Sequence, residues 1–441
     1  MKQKILSALF VLSTAWLQAQ ETVYPAPKQT APIVITNATV HVGNGQVMNN
    51  ASIEIRDGKI ARVSPTAITV SGATVVDATG KHVYPGLISA VSNLGLVEIN
   101  SVRASNDVQE LGELNPNVRS LIAYNTDSKI TNTLRSQGIL LANIIPQGGV
   151  LSGSSSVVQL DAWNWEDAAY LADGGIHFNM PSLLARPRMN PFLAAMGLQQ
   201  PAGAPDPVKQ GLEQVDRIKS FLAEAKAYAA NPSPEEKNLK FEAVKGLFTK
   251  KQKLYVHANT VKQMLVALDF VRDFGVDMVI IGGSDSWQIA DLLKQNNVAV
   301  ILNQPHSLPT LDDDDVDQPY KTPAMLQKAG VTFVISDDDG NTRGRNLAFN
   351  AGTAATYGLS KEEALQSITL NAAKALGIAD RTGSIEVGKD ANIIISSGDI
   401  LDMRTSRVTD AFIQGRKIDL NDKQKQLNER YKYKYGIKSP F

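Results

Sequence analysis

Five histidines and no cysteine set the chemistry open to this chain of 441 residues. Without Cys there are no disulfides, thiolate zinc sites, iron–sulfur clusters or Cys nucleophile. Metal or acid–base work must come from His41, His82, His177, His257, His306 and the carboxylates. The acidic run 312–315 (DDDD) with Asp317, and the run 337–341 (DDDGN), invite a hard cation. Neither carries the alternating ligand spacing of a calcium loop, so the first reads as a solvated loop and the second as a turn. Residues 148–156 (GGVLSGSSS) offer backbone N–H groups to an anion but lack the Gly-Lys-Ser/Thr of a P-loop. They are expected to form a tight loop lining a ligand pocket. His177, beside Gly174 and Gly175, reads as a loop residue. His41 and His82 receive no function, and Trp163 and Trp165 default to core.

The elements that must position these groups follow from periodicity. Residues 33–82 are short β-rich pieces, with Asp57-Gly58 between alternating runs as a hairpin signal. The texture returns over 383–420, so both chain ends are expected to pair into a small β-sandwich. Between them, over 83–380, apolar strands at 83–89, 138–145, 155–160, 254–258, 278–282, 298–302 and 331–335 alternate with amphipathic helices, including 261–274, 344–357 and 361–376. Ser360 and Glu363 form a capping box for the last of these. A stretch of this length suits a (β/α)8 barrel, typically ~250 residues, with 176–180 as the weakest strand candidate. An insertion at 181–253, Pro-rich and then helical, is expected over one rim of the barrel. Residues 421–441 form a polar tail.

Lys+Arg and Asp+Glu are 44 each, so the chain is formally neutral and lacks the basic field that nucleic acids require. At 43% hydrophobic and 20% charged, the composition is that of a globular protein, not a disordered one. Residues 1–19 read as a cleaved signal peptide: Lys2 and Lys4, an apolar run, then the small Ala19. The apolar run at 5–17 is shorter than the ~20 residues that cross a bilayer. A secreted or periplasmic protein without a membrane anchor is expected.

Four segments together resemble the amidohydrolase superfamily in its imidazolonepropionase-like branch: 81–94 (KHVYPGLISAVSNL), 255–259 (YVHAN), 280–287 (IIGGSDSW) and 369–390 (TLNAAKALGIADRTGSIEVGKD). The resemblance implies an α/β fold, a (β/α)8 TIM-type barrel plus a small β-sandwich domain from both ends. It also implies one or two divalent metals at the C-terminal mouth of the barrel, lowering the pKa of bound water toward about 7. The family's first strand ends in an HxH pair. Here those two positions hold Val91 and Asn93, and Ser89 stands where an Asp is usual. The fifth-strand ligand position keeps His257, the sixth-strand His is Gly282, and the last strand keeps Asp337, the family's catalytic proton acceptor.

His257 and Asp337 are too few for a catalytic zinc site, which takes three protein ligands and a water. His306, after the 298–302 strand, and Asp338 could complete a rebuilt site. The bland alternatives are a hydrogen-bonded His257, an Asp337 accepting backbone N–H groups, and a His306 that orders its loop. The cofactor is thus one divalent metal, zinc or similar, or none. Two function classes follow: a hydrolase of non-peptide C–N bonds (cyclic amides, small amides or dipeptides), or a non-catalytic protein. The latter would bind a small molecule at the barrel mouth, or pair as a homo- or hetero-oligomer with a related, metal-complete amidohydrolase. Coordination chemistry favours the second; metal-free acid–base catalysis by Asp337 with His257 ranks last.

Overall fold

The computed structural model describes residues 24–184, 196, 206–231, 236–309, 314–337 and 343–437. The expected signal peptide, the Pro-rich part of the insertion, Asp312, Asp313 and Asp338 lie outside these residues. Two eight-stranded sheets organise the described chain. The first contains β1 (Ile33–His41), β2 (Val47–Arg56), β3 (Lys59–Ser64), β4 (Thr74–Asp77) and β5 (His82–Pro85). The second is the barrel: β6 (Leu87–Ser92), β7 (Ile139–Ile144), β8 (Leu151–Gln159), β9 (Ala169–Asn179), β10 (Lys253–Ala258), β11 (Met278–Gly282), β12 (Ala299–Leu302) and β13 (Phe333–Ile335). The chain then returns to the first sheet as β14 (Ile393–Ser396), β15 (Val408–Ile413) and β16 (Arg416–Lys417).

The small sheet runs β16-β15-β14-β5-β1-β2-β3, with β4 on β1, so the two chain ends meet where β14 pairs with β5. Its hairpin β2–β3 turns at Asp57-Gly58, with φ of 50° and 77°. Those positive values are what Asp-Gly tolerates in a two-residue turn. Ile35, Ile53, Ile393 and Phe412 fill its core. Gly86 separates β5 from β6. A Cβ there would lie 2.6 Å from Leu140 Cδ1, so the chain passes from one sheet to the other only because no side chain intervenes.

The barrel strands are parallel neighbours from β9 to β13 and between β6 and β7, but β8 is antiparallel to both β7 and β9. The strand candidate at 176–180 is the end of β9. The small-residue run 148–156, expected as a loop, is a turn only at Gly148 and Gly149; Leu151–Gln159 is a strand buried throughout. The physical reason is a crossing segment. A Cβ at Gly153 would lie 2.4 Å from the Val118 carbonyl oxygen, and Leu114 and Arg119 bridge to Leu151 and Ser154. Small residues are required by what lies over the strand, whatever their β propensity.

Inward side chains of all eight strands, Ile88, Leu141, Val157, Tyr255, Val279 and Val334 among them, meet Ala372, Ala375 and Leu376 of the helix Leu370–Leu376, which closes the bottom of the barrel. Lys253 Nζ donates to the Lys374 and Ala375 carbonyls at 2.7 and 3.0 Å, and Tyr255 Oη to Ala375 at 3.2 Å. The helix expected over 361–376 is two: Lys361–Ser367, with the Ser360–Glu363 capping box in place, and Leu370–Leu376. The insertion's described helices, Pro207–Ala230 and Leu239–Phe248, do not lie over a rim. Val215, Ile218, Phe221 and Leu222 join the barrel's outer core, and Lys219 reaches Asp269 and Asp273 of the helix Val261–Phe274 at 3.3 Å. An apolar helix face is buried most cheaply against another helix.

Candidate functional site

At the C-terminal ends of the barrel strands lies a cavity of about 410 Å³. Val91 and Asn93 from β6 and its exit, His257 from β10 and Gly282 from β11 all line it. Four of the positions that the sequence assigns to the strand ends therefore meet in one place. Asp337 and His306 are not among its lining residues. Asp337 follows β13 and is buried, its Oδ2 accepting from Asn350 Nδ2 at 3.1 Å. His306 is exposed, its Nε2 2.9 Å from Thr353 Oγ1 and its ring edge-on to Tyr320.

The residue that engages His257 is His177, a strand residue and not the loop residue that its glycine neighbours suggest. It stands in β9, fully buried, with Nδ1 2.9 Å from His257 Nε2. In the β9–β10 register, His177 pairs with Tyr255 and Asn179 with His257. The rings of His177 and Tyr255 stack at 5.0 Å and 14°. Gly175 makes room, since a Cβ there would lie 2.0 Å from Tyr255 Cε2. The alternation Gly175, His177, Asn179 is the signal that could have placed all three on the inward face.

Burial pushes the His257 imidazole down to about 4, and burial, reinforced by nearby His257, pushes His177 well below its ordinary value. Both rings are therefore neutral near pH 7, and one proton lies between them. His177 Nε2 is sealed without a partner. An orphaned buried N–H is rarer than an orphaned acceptor, so His177 Nδ1–H donates to His257 Nε2. His257 then carries its own proton on Nδ1.

Around this pair, Gly282 has φ +101°, and a Cβ built on it would lie 2.4 Å from Asn259 Oδ1. The position cannot take a histidine without moving Asn259, whose Oδ1 also accepts from Ser284 Oγ at 3.1 Å. Val91 has no lone pair to donate. Among the described residues, no three His, Asp or Glu are grouped to hold a metal ion. Asn179 Nδ2 donates to Gly149 O and Ser152 Oγ, each at 2.9 Å, tying the Gly148-Gly149 turn to the mouth.

A family model for the amidohydrolase family matches residues 254–420. The chain is 25% identical over 370 residues to an imidazolonepropionase of Mesorhizobium japonicum, covering 79% of this chain and 87% of that protein. A shorter match, 43% over 72 residues, is to the imidazolonepropionase of Pseudomonas syringae pv. tomato and spans 16% of this chain and 18% of that one. The crystal structure of an amidohydrolase from Thermotoga maritima superposes with a TM-score of 0.73 at 26% identity, covering 88% of this chain and 99% of that one. Motifs, barrel and similarity over most of the chain converge on the amidohydrolase superfamily, and the chain is similar to its imidazolonepropionase-like members.

Proposed function

We propose that this protein is an exported small-molecule-binding member of its superfamily whose barrel mouth has given up metal-dependent water activation. The observation that carries the reading is the His177–His257 hydrogen bond of 2.9 Å. It occupies one nitrogen of the sole histidine at the inherited ligand positions, beside Val91, Asn93 and Gly282. Activating water at neutral pH takes a metal held by about three protein ligands with one position open. The donors lining this cavity do not fit that requirement. Export is supported by the charged start, apolar run and small residue of 1–19. The occupant of the mouth is a small molecule, and assembly with a second copy or a metal-complete relative is part of the same proposal.

The deciding measurement is metal per chain in the purified protein, dialysed against metal-free buffer and then reconstituted with zinc and with manganese. We expect close to zero in every case and a thermal midpoint indifferent to chelator. A stoichiometry near one would overturn the reading in favour of a metal-dependent hydrolase of C–N bonds, built on His257 and Asp337.

A further inference from the structure

No residue of the helix Lys423–Tyr435 is buried. Asp422 caps its start, accepting from the Lys425 backbone N–H at 2.8 Å, and Gly436 ends it at a φ of 62°. Its first turn is tied to the helix Lys129–Ser136, where Thr133 donates to Gln424 at 3.2 Å. From 428 to 437 every residue except Lys432 is exposed. The helix carries Lys423, Lys425, Arg430, Lys432 and Lys434 against Glu429 alone, a net charge of +4 on a chain that is neutral as a whole. Of these cations only Lys432 is ion-paired among the described residues, to Glu429 at 2.9 Å. At roughly 100° per residue, Leu427, Tyr431 and Tyr435 fall on one stripe, bordered by Arg430 and Lys434 on one side and Lys425 and Lys432 on the other. Glu429 lies on the opposite face. Tyr431 and Tyr435 are 51% and 64% exposed, their rings 6.4 Å apart and 15° from parallel.

We propose that this helix lies on an anionic lipid surface, with Tyr431 and Tyr435 at the level of the headgroups and the flanking cations on the phosphates. A basic helix with an aromatic stripe suits that boundary, because a tyrosine has an apolar body and a polar tip, and Lys and Arg stems reach sideways to the charge. Each cation near such a surface adds attraction that the rest of a neutral chain does not supply. A second copy is a poor occupant, since two helices of the same charge repel. The contact is peripheral: among the described residues no helix is long and apolar enough to cross a membrane. Nucleic acid offers phosphates too, and the choice of lipid rests on the reading that the chain is exported.

The test is cosedimentation of the whole mature protein with vesicles of phosphatidylcholine, alone or with phosphatidylglycerol at about 30% of the lipid. Partition into the anionic vesicles should exceed that into the neutral ones at least about tenfold, and should fall severalfold between about 50 and 200 mM salt. Arg430→Gln/Lys434→Gln should weaken it by about tenfold or more, and Tyr431→Ser/Tyr435→Ser by about threefold or more. All four side chains are exposed, so both variants should keep the thermal midpoint within about 1 °C and lose binding without unfolding. Equal partition into neutral vesicles, no partition at low salt, or undiminished partition of either variant would each overturn the inference. Tighter binding to oligothymidylate than to anionic vesicles would overturn it in favour of nucleic acid. Export is read separately, from the N-terminal residue of the protein recovered outside the cytoplasm, so its failure is distinguishable from a failure to bind lipid.

Discussion

The His177–His257 pair shows how one buried hydrogen bond can decide what a side chain is free to do. Both imidazoles titrate below their ordinary value of about 6.5. The folded protein therefore binds fewer protons than the unfolded chain once the pH drops below about 6.5. The stability contributed is complete above that pH and is lost progressively as the pH falls toward about 4. We expect a decline of about 2–3 kcal/mol across this window from His257, with His177 adding to it, read from urea midpoints in a pH series. The double variant His177→Phe/His257→Leu should flatten that slope. An unchanged slope would place the titration elsewhere. His257→Ala alone leaves His177 Nδ1–H unpaired and should cost about 1–3 kcal/mol at pH 7.

Among elements, the turn that carries the family motif at 383–390 joins the sheet and barrel through Asp390. Tyr170 of β9 donates its hydroxyl to Asp390 Oδ2 at 2.6 Å, and Lys59 of β3 reaches Oδ1 at 3.0 Å. Arg381 lies 3.2 Å from Oδ2 and stacks its guanidinium 3.9 Å over the Tyr170 ring. Burial works to raise the Asp390 pKa, but bonds from Tyr170 and Lys59 hold it below the usual carboxylate range. Lys59 and Arg381 are themselves exposed enough for water to weaken both ion pairs, so the Tyr170 bond carries most of the effect. Asp390→Ala should cost about 2–3 kcal/mol, measured as a lowered urea midpoint, and Tyr170→Phe about half of that. Equal effects from Lys59→Met and Asp390→Ala would reassign the weight to the ion pair. The motif was legible in the residues 383–390; its partner Tyr170 was not, because it comes from a strand with weak alternation.

For the whole molecule, Asp161 is the point where distant segments converge. Arg135 of the helix Lys129–Ser136 donates to its Oδ1, Arg416 of β16 to its Oδ2 at 2.8 Å, and the Ala26 backbone N–H to Oδ2 at 2.9 Å. The side chains of Arg135 and Asp161 are 5% and 2% exposed. Removing the carboxylate leaves the buried Arg135 and the partly buried Arg416 without their counter-charge. Asp161→Ala should therefore cost about 3–5 kcal/mol, the largest loss among these variants. A loss under about 1 kcal/mol would mean that water replaces the carboxylate.

The barrel, the β domain built from both ends and the strand ends where chemistry could sit were all legible in the residues. Apolar strand periods, Asp57-Gly58, the capping box at Ser360 and the 383–390 turn are local signals, each readable within a few residues. The sequence also placed Val91, Asn93, His257 and Gly282 at positions that the fold brings to one cavity. Long-range packing set the partnership of His177 with His257, the strand in 151–159, and the separation of Asp337 and His306 from the cavity lining. The first joins residues 80 positions apart. The second depends on a crossing segment that no local propensity encodes. The third depends on where the chain turns after each strand, since residues beyond a strand's end no longer follow its alternation.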